Sequence, residues 1–111
     1  MDKIMVYMKN QKGSSEYNAK AEYYGNKIVV LKGSKINSKV ASSSTFKLNS
    51  LAQSARKEKQ NFNENFVLTK NVEFRSPSTA GQFVCGYSVS GMIAWRDKNK
   101  RTLKDIIKGG K

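Results

Sequence analysis

The side chains in this 111-residue sequence with the clearest chemical potential are its lysines and arginines, twenty-one against eight aspartates and glutamates, with no histidine at all. Histidine is the usual proton shuttle near neutral pH, so its absence removes the simplest route to acid–base catalysis and to an activated serine or cysteine. The carboxylates Asp2, Glu16, Glu22, Glu58, Glu64, Glu73, Asp97 and Asp105 are scattered, without the close grouping that a divalent cation asks for. Gly86-Tyr87-Ser88-Val89-Ser90 misses the nucleophile-elbow pattern by its last glycine. Lys32-Gly33-Ser34 reverses the Gly-Lys-Ser order of a phosphate loop. Cys85 is the only cysteine; it cannot form an internal disulfide and, lacking a histidine partner, reads as a small core residue. These absences predict a protein that is not an enzyme and that needs no metal or cofactor.

What remains is charge. The formal net charge is +13 and the sequence pI is about 10.0. Solubility alone is served by a net charge of about 2 to 8, whereas a surplus of this size concentrates polyanions at the surface. Nucleic acid is therefore the first candidate partner, and charge alone does not distinguish DNA from RNA. The longest apolar run, Ile28 to Leu31, is far short of the roughly 20 residues of a membrane span. With no leader-like segment ahead of the first strand-like run, a soluble, cytoplasmic protein without membrane contact is expected. The length fits a single domain over residues 1–111 with one core, and a monomer is the default expectation.

Positioning the cations falls to elements that the pattern outlines. Ile4, Val6 and Met8 alternate with other residues, as do Tyr17, Ala19, Ala21 and Tyr23 against Asn18, Lys20 and Glu22, which predicts two strands of a β-meander. Gly25-Asn26 supplies a turn, and Ile28 to Leu31 reads as the returning central strand, apolar on both faces. From Lys35 to Thr45 periodicity is lost and Ser42, Ser43 and Ser44 offer nothing to bury, so 35–45 is expected to be a mobile loop. Leu48, Leu51, Ala52 and Ala55 share one face of a 3.6-residue period, with Arg56, Lys57 and Lys59 on the other side. Phe66 to Thr69 and Val72 to Arg75 flank Lys70-Asn71, the pattern of a β-hairpin. Ser76-Pro77-Ser78 is a helix start, with Ser76 as cap and Pro77 at the first helical position; Ala80, Phe83, Val84 and Tyr87 then form one stripe. Gly86 and Gly91 bracket a break before Met92 to Trp95, which reads as a last short strand. Thr102 and Asp105 outline a capping box for a final helix anchored by Leu103, Ile106 and Ile107 and ended by Gly109. The class is α+β, a mostly antiparallel sheet from a meander and a hairpin with two or three short helices packed on it.

Three phrases in this order resemble a known family: Val29-Val30-Leu31-Lys32-Gly33-Ser34-Lys35, then Phe74-Arg75-Ser76-Pro77-Ser78-Thr79-Ala80, then Gly86 and Gly91 leading to Trp95-Arg96. They are similar to domain of unknown function 4357, a small module often appended to GIY-YIG nucleases or encoded with restriction and modification systems, over about Ala19 to Ile107. The second and third phrases also resemble, more loosely, the restriction enzyme and adenine methyltransferase associated (RAMA) domain, a proposed reader of modified DNA. Where relatives carry Asn-Gly-Trp, this chain has Ser90, Gly91 and Met92, so one aromatic is missing. The resemblance implies an accessory role beside a nuclease or methyltransferase.

The expected function is a non-catalytic accessory DNA-binding module that docks through phosphate contacts. Lys32, Lys35 and Lys39 follow the strand corner, and Arg96, Lys98, Lys100 and Arg101 surround the exit of the last strand; brought together, they would form one basic rim. Ser34 and Ser76, with Arg75 beside it, sit where backbone amides could face an anion, although a plain helix cap explains Ser76 as well. Trp95 is a candidate stacking platform for a base, with a core anchor as its structural alternative. The rival is a protein-interaction module whose positive surface docks an acidic nuclease or methyltransferase subunit.

Overall fold

The computed structural model describes residues 3–10, 16–38, 50–87 and 89–109. Four strands, β1 (Ile4–Asn10), β2 (Tyr17–Tyr23), β3 (Ile28–Val30) and β4 (Val72–Phe74), form an antiparallel sheet in the order β1-β2-β3-β4. Alternation decides which way each strand faces. Val6 and Met8 of β1, Ala19 and Ala21 of β2, and Ile28 and Val30 of β3 are buried, while Tyr7, Lys9, Asn18 and Lys20 between them are exposed. The expected meander and its central third strand are present.

Among the described residues, helices cover the inner face only. α1 (Ser50–Lys57), α2 (Pro77–Cys85), α3 (Gly91–Ala94) and α4 (Leu103–Gly109) exceed the two or three expected. α2 lies across β2, β3 and β4, and the small Ala19 and Ala21 leave room for Phe83 and Val84, both fully buried. Phe83 meets Phe74 at a tilted 5.1 Å. Each such side chain contributes roughly 1.5–3 kcal/mol by leaving water. α2 starts as its sequence dictates: Ser76 Oγ accepts from the Thr79 amide, Pro77 takes the first turn, and Gly86 closes the helix in the left-handed region at φ 79°.

Three expectations are corrected. Phe66 to Thr69 does not form a hairpin with Val72 to Arg75, because both segments pair with the chain that leaves β2. Val72 faces Val30 in the β3–β4 ladder, and Val67 bridges Lys35. The Gly33 amide donates to Leu68 O and the Leu68 amide to Ser34 O. A neighbour already extended alongside outcompetes a local turn. The second correction concerns 92–95, which is not a strand: Met92 to Ala94 belong to α3, and Trp95 caps that helix in an extended conformation. The Ile93 and Ala94 amides both turn back to Ser90 O, and Gly91 packs so tightly that a Cβ there would lie 2.1 Å from the Pro77 carbonyl carbon. Third, α1 is rotated from the face expected. Ala52 is buried, but Leu51 is 58% exposed, while Arg56 turns inward and its Nη2 donates to Val84 O at 3.4 Å. Burial lowers the Arg56 pKa to about 10, so it stays charged at neutral pH. Leu48 lies outside the described residues.

Of the segment expected to be mobile, 39–45 lies outside the described residues. Its start is built into the core: Ile36 is fully buried, and Asn37 ties the end of α2 through its amide to Val84 O and its side chain to Cys85 O. α4 starts as expected, with Thr102 Oγ1 accepting from the Asp105 amide at 3.1 Å.

Gly91 is the tightest joint in this layer. Replacing it with alanine drives a methyl group into the Pro77–Ser78 backbone, which cannot swing aside as a side chain would. The Gly91→Ala protein is expected to lose about 3 kcal/mol of stability, read as a lowered urea midpoint at unchanged slope.

Candidate nucleic-acid interface

The open face of the sheet is where the cations gather. In an antiparallel sheet, residues directly opposite each other point to the same side, so the register arranges this face in rows. One row is Lys9, Asn18, Lys35 and Val67; the next is Arg96, Tyr7 and Lys20; a third is Met5, Glu22, Val29 and Glu73. At about 4.8 Å between strands and 7 Å between rows, Arg96, Lys9, Lys20 and Lys35 occupy a patch of about 15 by 7 Å at the backbone.

Charges separate along the strand axis. In the third row Glu22 pairs with Lys3 at 2.8 Å and Glu73 with Lys27 at 3.6 Å. Hydrogen bonds from Lys3 and from the Tyr24 hydroxyl hold the Glu22 carboxyl below its ordinary pKa. In the cationic rows Lys35 pairs with Glu16, while Lys9, Lys20 and Arg96 take part in none of the ion pairs among the described residues. The acidic end is neutralised and the basic end is left exposed to water.

Two local devices hold this arrangement. Leu31 to Ser34 form a turn closed by the Ser34 amide on Leu31 O, with Gly33 at φ 90° where only glycine sits without strain. The turn interrupts the β3 edge, and the Ser34 hydroxyl fills the gap: it accepts from the Lys20 amide at 3.0 Å and donates to Lys20 O at 3.2 Å. At the other edge Arg96 exchanges backbone hydrogen bonds with Tyr7, at 2.7 and 3.0 Å, and Thr102 bridges back to Arg96. Between them the 97–101 turn is knotted by Asp97. Its Oδ1 accepts from the Asn99 and Arg101 amides and its Oδ2 from Arg101 Nε at 3.0 Å, and Lys100 adopts φ 68°. Exposed Lys98 and Lys100 are thereby set beside β1.

The sites expected from sequence divide accordingly. Lys35, Arg96, Lys98, Lys100 and Arg101 come together at this face and its edge, with Arg101 engaged by Asp97. Lys32 is exposed at the tip of the turn, its amide held by Asn71 Oδ1 at 2.8 Å. Arg75 and Ser76 follow β4 at the opposite end of the sheet, beyond the acidic row, and Ser76 caps α2. Ser34 is buried with its hydroxyl spent on Lys20, so it positions a cation and faces no anion. Lys39 lies outside the described residues. Trp95 is fully buried, its Nε1 donating to Pro77 O at 3.0 Å; no base can reach it, and the stacking role is withdrawn. Sequence reasoning missed Tyr7, Lys9 and Lys20, although the alternation that buried Val6, Met8, Ala19 and Ala21 already pointed these three to water.

Two outcomes follow. Trp95→Phe is expected to cost roughly 1–3 kcal/mol by orphaning Pro77 O, seen in thermal melts. Asp97 is pushed upward by desolvation but held net below its ordinary value of 3.8 by the Arg101 and Asn99 amides and the Arg101 guanidinium. A carboxylate lowered on folding stabilises the turn fully above its unfolded pKa and loses that contribution as pH falls through the folded value. Exchange protection of the Asn99 and Arg101 amides is therefore expected to hold at pH 5 and to collapse in acid below about pH 4, and Asp97→Ala to remove it at every pH.

No curated protein and no solved structure matches the chain. A family model does, that of domain of unknown function 4357, over residues 9–107, starting ten residues before Ala19, where the resemblance begins, and the chain therefore belongs to that family.

Proposed function

We propose that the protein is a non-catalytic nucleic-acid-binding module, with DNA as its partner, docking by phosphate contacts on the open sheet face. The observation that carries this reading is the segregation of charge on that face: among the described residues Lys9, Lys20 and Arg96 stand together without an ion pair, flanked by Lys98 and Lys100, while the carboxylates of the neighbouring row are matched by Lys3 and Lys27. Charge spread for solubility alone has no reason to leave one end of one face unpaired. Strand register holds the backbone positions that carry the cations at fixed spacing, so less ordering entropy is spent when a phosphate backbone arrives. The family resemblance supports an accessory role beside a nuclease or methyltransferase of a restriction-modification system.

Fluorescence anisotropy with labelled DNA tests the reading. Four phosphates engaged give a salt slope of about −3.6, hence about a 100-fold loss of affinity between roughly 50 and 200 mM salt. Replacing Lys9 and Lys20 together by glutamine is expected to flatten that slope by about 2, whereas Lys57→Gln, in the helical layer, leaves it unchanged. Absence of binding to any DNA at low salt would sink the proposal and favour an acidic protein partner.

A further inference from the structure

The same face carries a feature that phosphate contacts leave unused. Tyr7 is 37% exposed in the middle of the cationic rows, and Ile93 on α3 is 50% exposed; both line one groove of about 1030 Å³ at the β1 edge. That volume is slightly above those that usually hold small ligands, roughly 300–1,000 Å³. Lys9, Arg96 and Lys100 line it together with Asp97, whose carboxylate is engaged by Arg101, and Val89 and Ala94 add apolar wall.

The β1 backbone opens into this groove as well. Tyr7 turns its N–H and C=O outward, away from β2, and spends them on Arg96. Two residues on, Lys9 must turn its own N–H and C=O to the same side, and among the described residues nothing meets them. An exposed ring, an apolar wall, a free donor–acceptor pair of one strand edge and three cations thus converge on one place. A phosphate alone would use only the cations. A peptide would use the strand edge but gives no reason for the cations around an exposed tyrosine. A nucleobase with its flanking phosphates uses all of them: stacking is sequence-tolerant because every base has a π-face, and an edge amide and carbonyl suit a base's hydrogen-bonding edge.

We propose that this groove takes an unstacked base of a single-stranded nucleic acid, with Tyr7 as its stacking face and Lys9, Arg96 and Lys100 on the flanking phosphates. The inference rests on the nucleic-acid reading above and narrows it to single strands, since in an intact duplex the bases are stacked on one another and cannot lie against Tyr7.

The test compares a single-stranded oligonucleotide with its own duplex, each titrated by anisotropy against wild type, Tyr7→Ala, Tyr7→Leu and Tyr7→Phe. Losing one stacked base is expected to weaken single-strand binding by about 5- to 150-fold in Tyr7→Ala, with Tyr7→Phe within about 2-fold of wild type and duplex affinity moving less than about 2-fold in all three. Tyr7→Leu keeps bulk on the strand but has no π-face; it is expected to show the same loss as Tyr7→Ala, which guards against a folding defect, and circular dichroism melts confirm that each variant is folded. Equal weakening of single strand and duplex, or wild-type binding by folded Tyr7→Leu, overturns the base groove while leaving phosphate docking standing. Failure of wild type to bind either nucleic acid overturns both.

Discussion

Two-residue alternation along β1 and β2 is the constraint on which the rest of this molecule depends. The two strands send Val6, Met8, Ala19 and Ala21 into the core and Tyr7, Lys9, Asn18 and Lys20 to water. A slip of register by one residue would put lysines under a helix that offers them no partner and expose the core to solvent, so the pairing is held strongly. The same constraint that makes the core therefore fixes the spacing of the cations. Surface charge and stability are not separable here, because the basic face is the reverse side of the hydrophobic one.

Helices on only one side of an antiparallel sheet leave the other side wet, and this chain uses that freedom in a specific way. Among the described residues, Glu22 and Glu73 sit in one row of the open face, bonded to Lys3 and Lys27, while in the adjacent rows Lys35 pairs with Glu16 and Lys9, Lys20 and Arg96 take part in no ion pair. Exposed ion pairs of this kind add little to stability, about 0–1 kcal/mol. Their consequence is to shape the field: they remove negative charge from the face and leave the unpaired cations as its net potential.

The far edge of that face is built by the C-terminal third of the chain. Trp95 is locked by its bond to Pro77 O, and Gly91 lies against the same Pro77–Ser78 backbone. These contacts place Arg96 in register with Tyr7, and Asp97 then gathers the following turn so that Lys98 and Lys100 are displayed beside the strand. The phrases that mark the family, the Ser-Pro-Ser helix start and the glycine-to-tryptophan ending, are thus two halves of one buried joint. Their value to the surface is indirect, through where they hold the arginine that follows.

Local pattern was enough to predict the meander, the cap and first proline of α2, the start of α4 and the α+β class, because each rests on residues close in the chain: strand alternation, a serine facing its own helix amides, a threonine three residues before an aspartate. It also determined the excess of positive charge and the absence of histidine chemistry. Only the tertiary structure decided that Val67 and Leu68 pair with the 33–36 chain in place of a hairpin, that Met92 to Ala94 coil against Pro77, that Arg56 turns inward while Leu51 turns out, and that Trp95 is sealed from any ligand. Each of these turns on a competing partner distant in sequence, which no local period records. The gathering of Lys9, Lys20, Lys35 and Arg96 is of the same kind: four residues from four segments become neighbours only through strand order and register, so the sequence by itself supplied the charge and the fold alone decided where it faces.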